Sequence, residues 1–185
     1  MYANNQEYLN CSADVVGGLI ETVCAALMDN FPDTVVDSND AGMVLDALHV
    51  LRPDSPELDA LDGIHCIVKG CYDDAVRILR QVSETSPGFA YARALLAFSL
   101  AAKGDPEWQQ RAGEVMANHE SRDAQQLVRV LIARHDLMEA QRATRLGAQF
   151  VVPDSVKALM DEPAAPIAPH EPTTAVDHQM GFLRA

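Results

Sequence analysis

The side chains best suited to bind a metal ion are the chain's four cysteines and the histidines near them. His65-Cys66 and Cys71 lie close together, and His49 precedes them. Zinc sites usually present two close ligand pairs at characteristic spacings, and no CxxC pair occurs here. All four cysteines lie in or beside apolar helical stretches, where free thiols behave as small hydrophobic side chains. The sequence therefore predicts structural cysteines, no metal site and no cofactor. The four are Cys11, Cys24, Cys66 and Cys71.

Catalytic patterns are also missing from the sequence. His135 and Asp136 are adjacent, and adjacent residues of a helix do not face each other. The pair Asp73-Asp74 falls in a predicted turn between helices. No Gly-rich phosphate loop, nucleophile elbow or HExxH occurs. We therefore expect a non-enzymatic protein. A metal-dependent enzyme using Cys66 and Cys71 is the alternative, and it would require bound zinc.

The charge of the 185-residue chain is concentrated in its first part. Residues 1–76 contain 14 acidic and two basic side chains, a net charge of −12, out of −13 for the whole chain. Nucleic acid and anionic lipid are poor partners for such a protein, because both require a surplus of Lys and Arg. The asymmetry favours a partner with basic character. The alternative is a solvated acidic face that aids solubility.

The sequence predicts no targeting or membrane segment. The first 25 residues contain no Lys or Arg, so the positive region of a secretory signal is missing. No stretch reaches the roughly 18 apolar residues that span a bilayer. The sequence therefore predicts a soluble cytoplasmic protein without a membrane span, with a periplasmic location as the alternative.

Helical periodicity dominates the chain and predicts an all-α fold. Capping residues, prolines and glycines divide it into seven helices joined by short turns. They are expected over about 12–30, 38–52, 55–68, 72–82, 89–102 and 105–118, with the seventh starting near 121.

Several turn residues repeat at one interval. Gly70 and Gly104 are 34 residues apart, and so are Pro53 and Pro87. This is the period of tetratricopeptide (TPR) repeats, which are helix-turn-helix units that stack on their neighbours. An ordinary helical bundle is the alternative.

The unit at residues 56–87 resembles the TPR consensus. Gly63 lies where a small residue lets the two helices of a unit approach, and residues 70–75 (GCYDDA) resemble the turn between them. The flanking units depart from the pattern. Val36 replaces the turn Gly in the first unit, and Gln109 and Ser121 stand at the Ala and Pro places of the third. An insertion at residues 106–108 would put Ala112 in the Ala role instead. The resemblance implies a short right-handed solenoid of about three units plus a C-terminal helix.

A narrower resemblance covers residues 8–135. Residues 13–21 (ADVVGGLIE) resemble the N-terminal signature of the HrpB/HrpK family of bacterial type III secretion proteins, and 94–98 (ALLAF) with 104–108 (GDPEW) are similar to a later segment. The family implies a protein-binding adaptor or chaperone that holds a small apparatus or secreted subunit. It also implies an alternative, an oligomeric periplasmic assembly factor that contacts peptidoglycan.

The last part of the chain differs in composition. Five of the ten prolines fall between Pro153 and Pro172. We expect a helical domain over residues 1–147 and a Pro-rich, disordered tail over 148–185.

The predicted solenoid also indicates where a partner would bind. The first helix of each unit lines the concave face, where an amphipathic partner helix could lie and acidic side chains could meet its basic flanks. The alternative is that the apolar members pack between helices. Self-association is a second use of the same surface. The predicted groove residues are Leu19, Glu57, Ile64, Ile67, Tyr91 and Phe98.

Overall fold

The computed structural model describes residues 11–118 and 121–161, and within them the regular structure is entirely α-helical. This confirms the predicted all-α class and the order of the seven predicted helices. The helices are α1 (Ala13–Met28), α2 (Ser38–Leu51), α3 (Pro56–Val68), α4 (Tyr72–Thr85), α5 (Ala90–Lys103), α6 (Glu107–Ala117), α7 (Arg122–Arg145) and α8 (Asp154–Asp161).

Side-chain caps fix where three of these helices begin. Ser12 caps α1 and Ser121 caps α7, each accepting a hydrogen bond from a backbone N–H of the first turn. The cap of α2 is Asp37, whose carboxylate accepts from Asn39 N at 2.8 Å. Such a cap stabilises a helix by about 1 kcal/mol because it satisfies an N–H that has no partner inside the helix.

The 34-residue period is visible in the backbone at the end of α3 and of α5. Gly70 and Gly104 have φ of 73° and 74°, a left-handed conformation that favours glycine. The same two hydrogen bonds close both helices, so the period belongs to the fold as well as to the sequence. The pairs are Gly70 N to Ile67 O with Cys71 N to Cys66 O, and Gly104 N to Ala101 O with Asp105 N to Leu100 O.

The ends of α2 and α4 repeat at the same interval. Arg52 and Ser86 follow these helices with φ of −139° and −129°. Pro53 and Pro87 come next, and proline cannot continue a helix.

The two helices of the central unit approach closely at Gly63. A Cβ atom placed on this glycine would lie 2.6 Å from Leu79 Cδ2. Gly63 and Leu79 are both buried, so no larger side chain fits there without movement. This confirms the role predicted for Gly63.

The helices stack as consecutive helix-turn-helix pairs. Each helix from α1 to α7 packs on the next one, and α1, α3, α5 and α7 also contact one another in that order. This packing is that of a short solenoid, and α5 lies at its centre because α3, α4, α6 and α7 all pack against it.

Helix α8 corrects one expectation. It lies inside the segment predicted to be a disordered tail, yet it packs on α7, where Ser155 Oγ donates a hydrogen bond to Asp136 Oδ2 at 2.6 Å. Disorder is therefore wrong for residues 154–161, and the rest of the predicted tail from 162 onward lies outside the described residues.

Candidate partner-binding surface

The two predicted groove residues of α3 lie inside the protein. Ile64 is 2% exposed and Ile67 is 1% exposed. Both belong to the continuous hydrophobic core. In the structure these two side chains pack between helices, which is the alternative interpretation of the pattern.

The two predicted groove residues of α5, Tyr91 and Phe98, are also buried. The Phe98 ring lies 5.1 Å from the ring of Phe31, between centroids, and the rings are tilted by 52°. Burial raises the pKa of Tyr91 to about 12, and the nearby charges of Asp123 and Cys24 add to this effect. The region of α5 predicted to meet a partner is therefore occupied by the chain's own residues.

Leu19 and Glu57 are the more accessible members of the predicted set. Both side chains are half-buried. Leu19 packs partly against the core. Glu57 Oε2 accepts a hydrogen bond of 2.6 Å from Ser55 Oγ at the start of α3. Neither residue is joined to Ile64 or Ile67 in one open surface, because those two are buried.

An exposed apolar surface lies instead at the turn between α7 and α8, outside the predicted groove. Leu146 is 84% exposed, Val151 64% and Phe150 45%, all within six residues of chain. Met160 on α8 is also exposed. The available signal was a cluster of large apolar residues, Phe150 to Val152, beside Pro153, in a segment outside any predicted helix. We call Leu146, Phe150, Val151, Val152 and Met160 the apolar turn.

The first helix pair has the opposite surface character. Its acidic side chains are solvent-exposed, and residues 11–51 contain no Lys or Arg. The exposed carboxylates of this pair and its connections are Asp14, Glu21, Asp29, Asp33, Asp37, Asp40 and Asp46.

Cationic side chains in the middle of the chain pair with local acids. Arg80 and Arg111 both bind Glu107, at 2.9 Å and 2.8 Å. Arg111 also binds Glu114 at 3.2 Å, and the hydrogen bond to Glu107 is the main cause that raises its pKa. These pairs link α4 to α6 and strengthen α6, but they leave the carboxylates of the first helix pair unbalanced.

The cysteines and histidines do not assemble the zinc set considered from the sequence. Cys66 is half-buried and Cys71 is exposed. Burial raises the pKa of the Cys66 thiol. His65 Nε2 donates to the Ser38 backbone oxygen at 2.6 Å, which ties α3 to the start of α2.

His49 instead meets two carboxylates of α3. Its Nε2 lies 2.7 Å from Asp62 Oδ2, and one ligand atom from each of His49, Asp59 and Asp62 lies within 4.8 Å of the others. Burial raises the pKa of Asp59, partly opposed by His49 and reinforced by the charge of Asp62. Among the described residues, this is the group whose geometry could hold a metal ion.

Fold and surface together define the class: an all-helical stack of helix-turn-helix pairs with an acidic first pair and an apolar turn at the end of α7. The model of the family described as bacterial type III secretion protein (HrpB1_HrpK) matches residues 6–137, more than half of the chain. The chain belongs to this family, which confirms the resemblance found in the sequence. No curated protein and no solved structure matched the chain. Within the described residues, no helix has both the length and the apolar character needed to cross a membrane.

Proposed function

We propose that this protein is a non-enzymatic adaptor or chaperone that holds a small apparatus or secreted subunit of a type III secretion system. Membership of the secretion family supports the system. The observation that carries the binding role is the apolar turn, whose side chains Leu146, Phe150 and Val151 remain exposed beside a well-packed stack.

Exposed apolar groups of this size favour contact with another molecule. Burying one such side chain contributes about 1.5–3 kcal/mol. Exposed apolar patches on soluble proteins commonly mark interaction sites, and aromatic anchors such as Phe150 often dominate binding energy. We therefore assign the apolar turn to an amphipathic segment of the partner, which would cover it with its own apolar face.

The acidic first helix pair supports a partner with basic flanks. Exposed carboxylates such as Glu21, Asp33 and Asp46 create a negative field that accelerates encounter with a basic protein. Leu19 and Glu57 remain proposed contacts at this end, because their side chains are half-exposed.

A capture experiment tests the adaptor. Each purified small apparatus and secreted subunit of the same secretion system is mixed with the full chain. We expect one subunit to be captured, and the double variant L146D/F150D to lose at least tenfold in affinity. V50D is the matched control, because Val50 is an exposed apolar residue of α2 that lies outside the proposed surface.

Each result has a definite meaning. Unchanged capture by L146D/F150D would overturn the assignment of the apolar turn. Loss of capture in L19D would instead show that the partner binds at the groove predicted from the sequence. A change in the oligomeric state of the chain alone, on sedimentation of L146D/F150D, would identify a self-association surface. Failure to capture any subunit, together with sedimentation on purified peptidoglycan, would replace the adaptor with the assembly factor.

We propose a cytoplasmic location for this function. Cell fractionation followed by blotting for the chain tests it. Recovery from the periplasm would contradict the cytoplasmic adaptor and support the alternative.

A further inference from the structure

A histidine and two aspartates meet where the first helix pair packs on the second. Asp59 and Asp62 are three residues apart on α3, so they share one face of that helix. His49 reaches them from the last turn of α2. The three ligand atoms lie within 4.8 Å of one another, a separation that one ion can bridge with bonds of about 2.0–2.2 Å after small side-chain movements.

The charges around this cluster favour a cation. The carboxylates of Asp54, Glu57 and Asp62 surround Asp59 with negative charge, and His49 is the nearby group of opposite sign. Asp62 and His49 have side chains 32% and 30% exposed, so the site is open to solvent on one side. Carboxylates crowded at a half-buried position repel one another, and a bound divalent ion removes that repulsion.

We propose that His49, Asp59 and Asp62 bind one late first-row divalent cation, with Zn²⁺ as the probe. An imidazole nitrogen with carboxylate oxygens suits Zn²⁺, whereas Mg²⁺ and Ca²⁺ prefer oxygen ligands alone. Three protein ligands leave a further position for water, as in other open zinc sites. This proposal departs from the sequence-based expectation of no metal site and is independent of the proposed adaptor function.

Zinc would replace the hydrogen bond between His49 and Asp62. A carboxylate can only accept a hydrogen bond, so His49 Nε2 carries the proton that faces Asp62 in the metal-free protein. Binding of Zn²⁺ at Nε2 requires the neutral tautomer that carries its proton on Nδ1, and the ion then joins the imidazole and the carboxylates. The consequence is a link between α2 and α3, and so between the first helix pair and the second.

Calorimetric titration of the chelator-treated, reduced full chain with Zn²⁺ tests the site. We expect one site whose affinity falls at least tenfold in H49Q and in D59N. D40N is the matched control, because it removes one carboxylate from an exposed position of α2 nine residues before His49 and should bind as the wild type does. Zn²⁺ at a hundredfold excess over the wild-type dissociation constant should raise the Tm by roughly 5–10 °C in the wild type and by at most about half as much in D59N.

Two results would overturn the proposal. One is wild-type zinc affinity in folded D59N, the variant that keeps the hydrogen bond between His49 and Asp62 and so decides the question if H49Q fails to fold. The other is a thiolate-to-cobalt charge-transfer band after Co²⁺ loading that disappears in C66S/C71S, because it would place the ion on the cysteines. A Co²⁺ spectrum without that band, together with loss of binding in D59N, supports the site.

Discussion

The middle of the stack and its α7–α8 end differ in how regularly they pack and in how many large apolar side chains they expose. From α3 to α5 the helix ends repeat every 34 residues, Gly63 lets α3 and α4 approach closely, and ten of the fourteen residues of α5 are buried. The α7–α8 end has a 24-residue helix, a turn with large exposed apolar side chains, and a short helix that packs on α7. The regular part therefore provides stability, and the irregular part provides surface.

The largest expected contrast is between two leucines. Leu95 in α5 is fully buried, and Leu146 in the apolar turn is 84% exposed. We expect L95A to lower the free energy of unfolding by about 2–5 kcal/mol, because it leaves a cavity in the core. L146A should change it by no more than about 0.5 kcal/mol. Urea unfolding measures both, and equal losses would contradict the division between core and surface.

A second contrast uses two helical glycines. G63A places a Cβ atom against Leu79, and the resulting overpacking should destabilise the protein by about 1–3 kcal/mol, partly offset by the better helix propensity of alanine. Gly18 in α1 has nothing within 4 Å of an added Cβ. G18A should therefore stabilise by up to about 1 kcal/mol. The same sign for both variants, measured by thermal unfolding, would show that the close approach in the central unit is not a constraint.

A third contrast compares two cysteines, and it tests whether α1 is packed as tightly as the middle of the stack. Burial raises the pKa of Cys24 to about 11, from 9.0. Its thiolate population, and so its labelling by a maleimide at pH 8, should be about a hundredfold lower than for an unperturbed thiol, whereas exposed Cys71 should react first. Mass spectrometry of the labelled protein gives the order.

The same shift has a consequence for stability. The folded protein holds the Cys24 proton more tightly than the unfolded chain, so this group's contribution to stability is lost as the pH rises from about 9 to 11. C24S should lose less stability than the wild type over that interval. Identical alkaline unfolding curves would show that α1 does not shield this thiol.

Helix positions could be predicted from the sequence because their signals are local. Ser12, Pro56 and Gly104 each act on the backbone within a few residues. In the structure Ser12 and Pro56 mark the starts of α1 and α3, and Gly104 marks the end of α5. Helix α8 was missed because it is eight residues long and its stability depends on packing against α7.

The candidate surface was harder to predict. Ile64, Ile67 and Phe98 have the spacing of groove residues, but the same spacing also suits core residues, and only tertiary packing separates the two. The contact between Phe31 and Phe98 joins residues far apart in sequence. The pairing of His49 with Asp62 joins two helices across a turn, so no short sequence motif predicts it.

Because α2 and α4 end alike, residues 53–86 form a repeating unit that can be inserted as a whole, and we call this unit a cassette. Arg52 and Ser86 leave their helices with nearly the same φ and ψ, so the chain enters the following proline in the same way at both places. A copy of residues 53–86 spliced in after Ser86 would join like backbone to like at both junctions. The protein could thus grow by a whole unit in register, and the distance between its acidic beginning and its apolar end could be set in steps of one cassette.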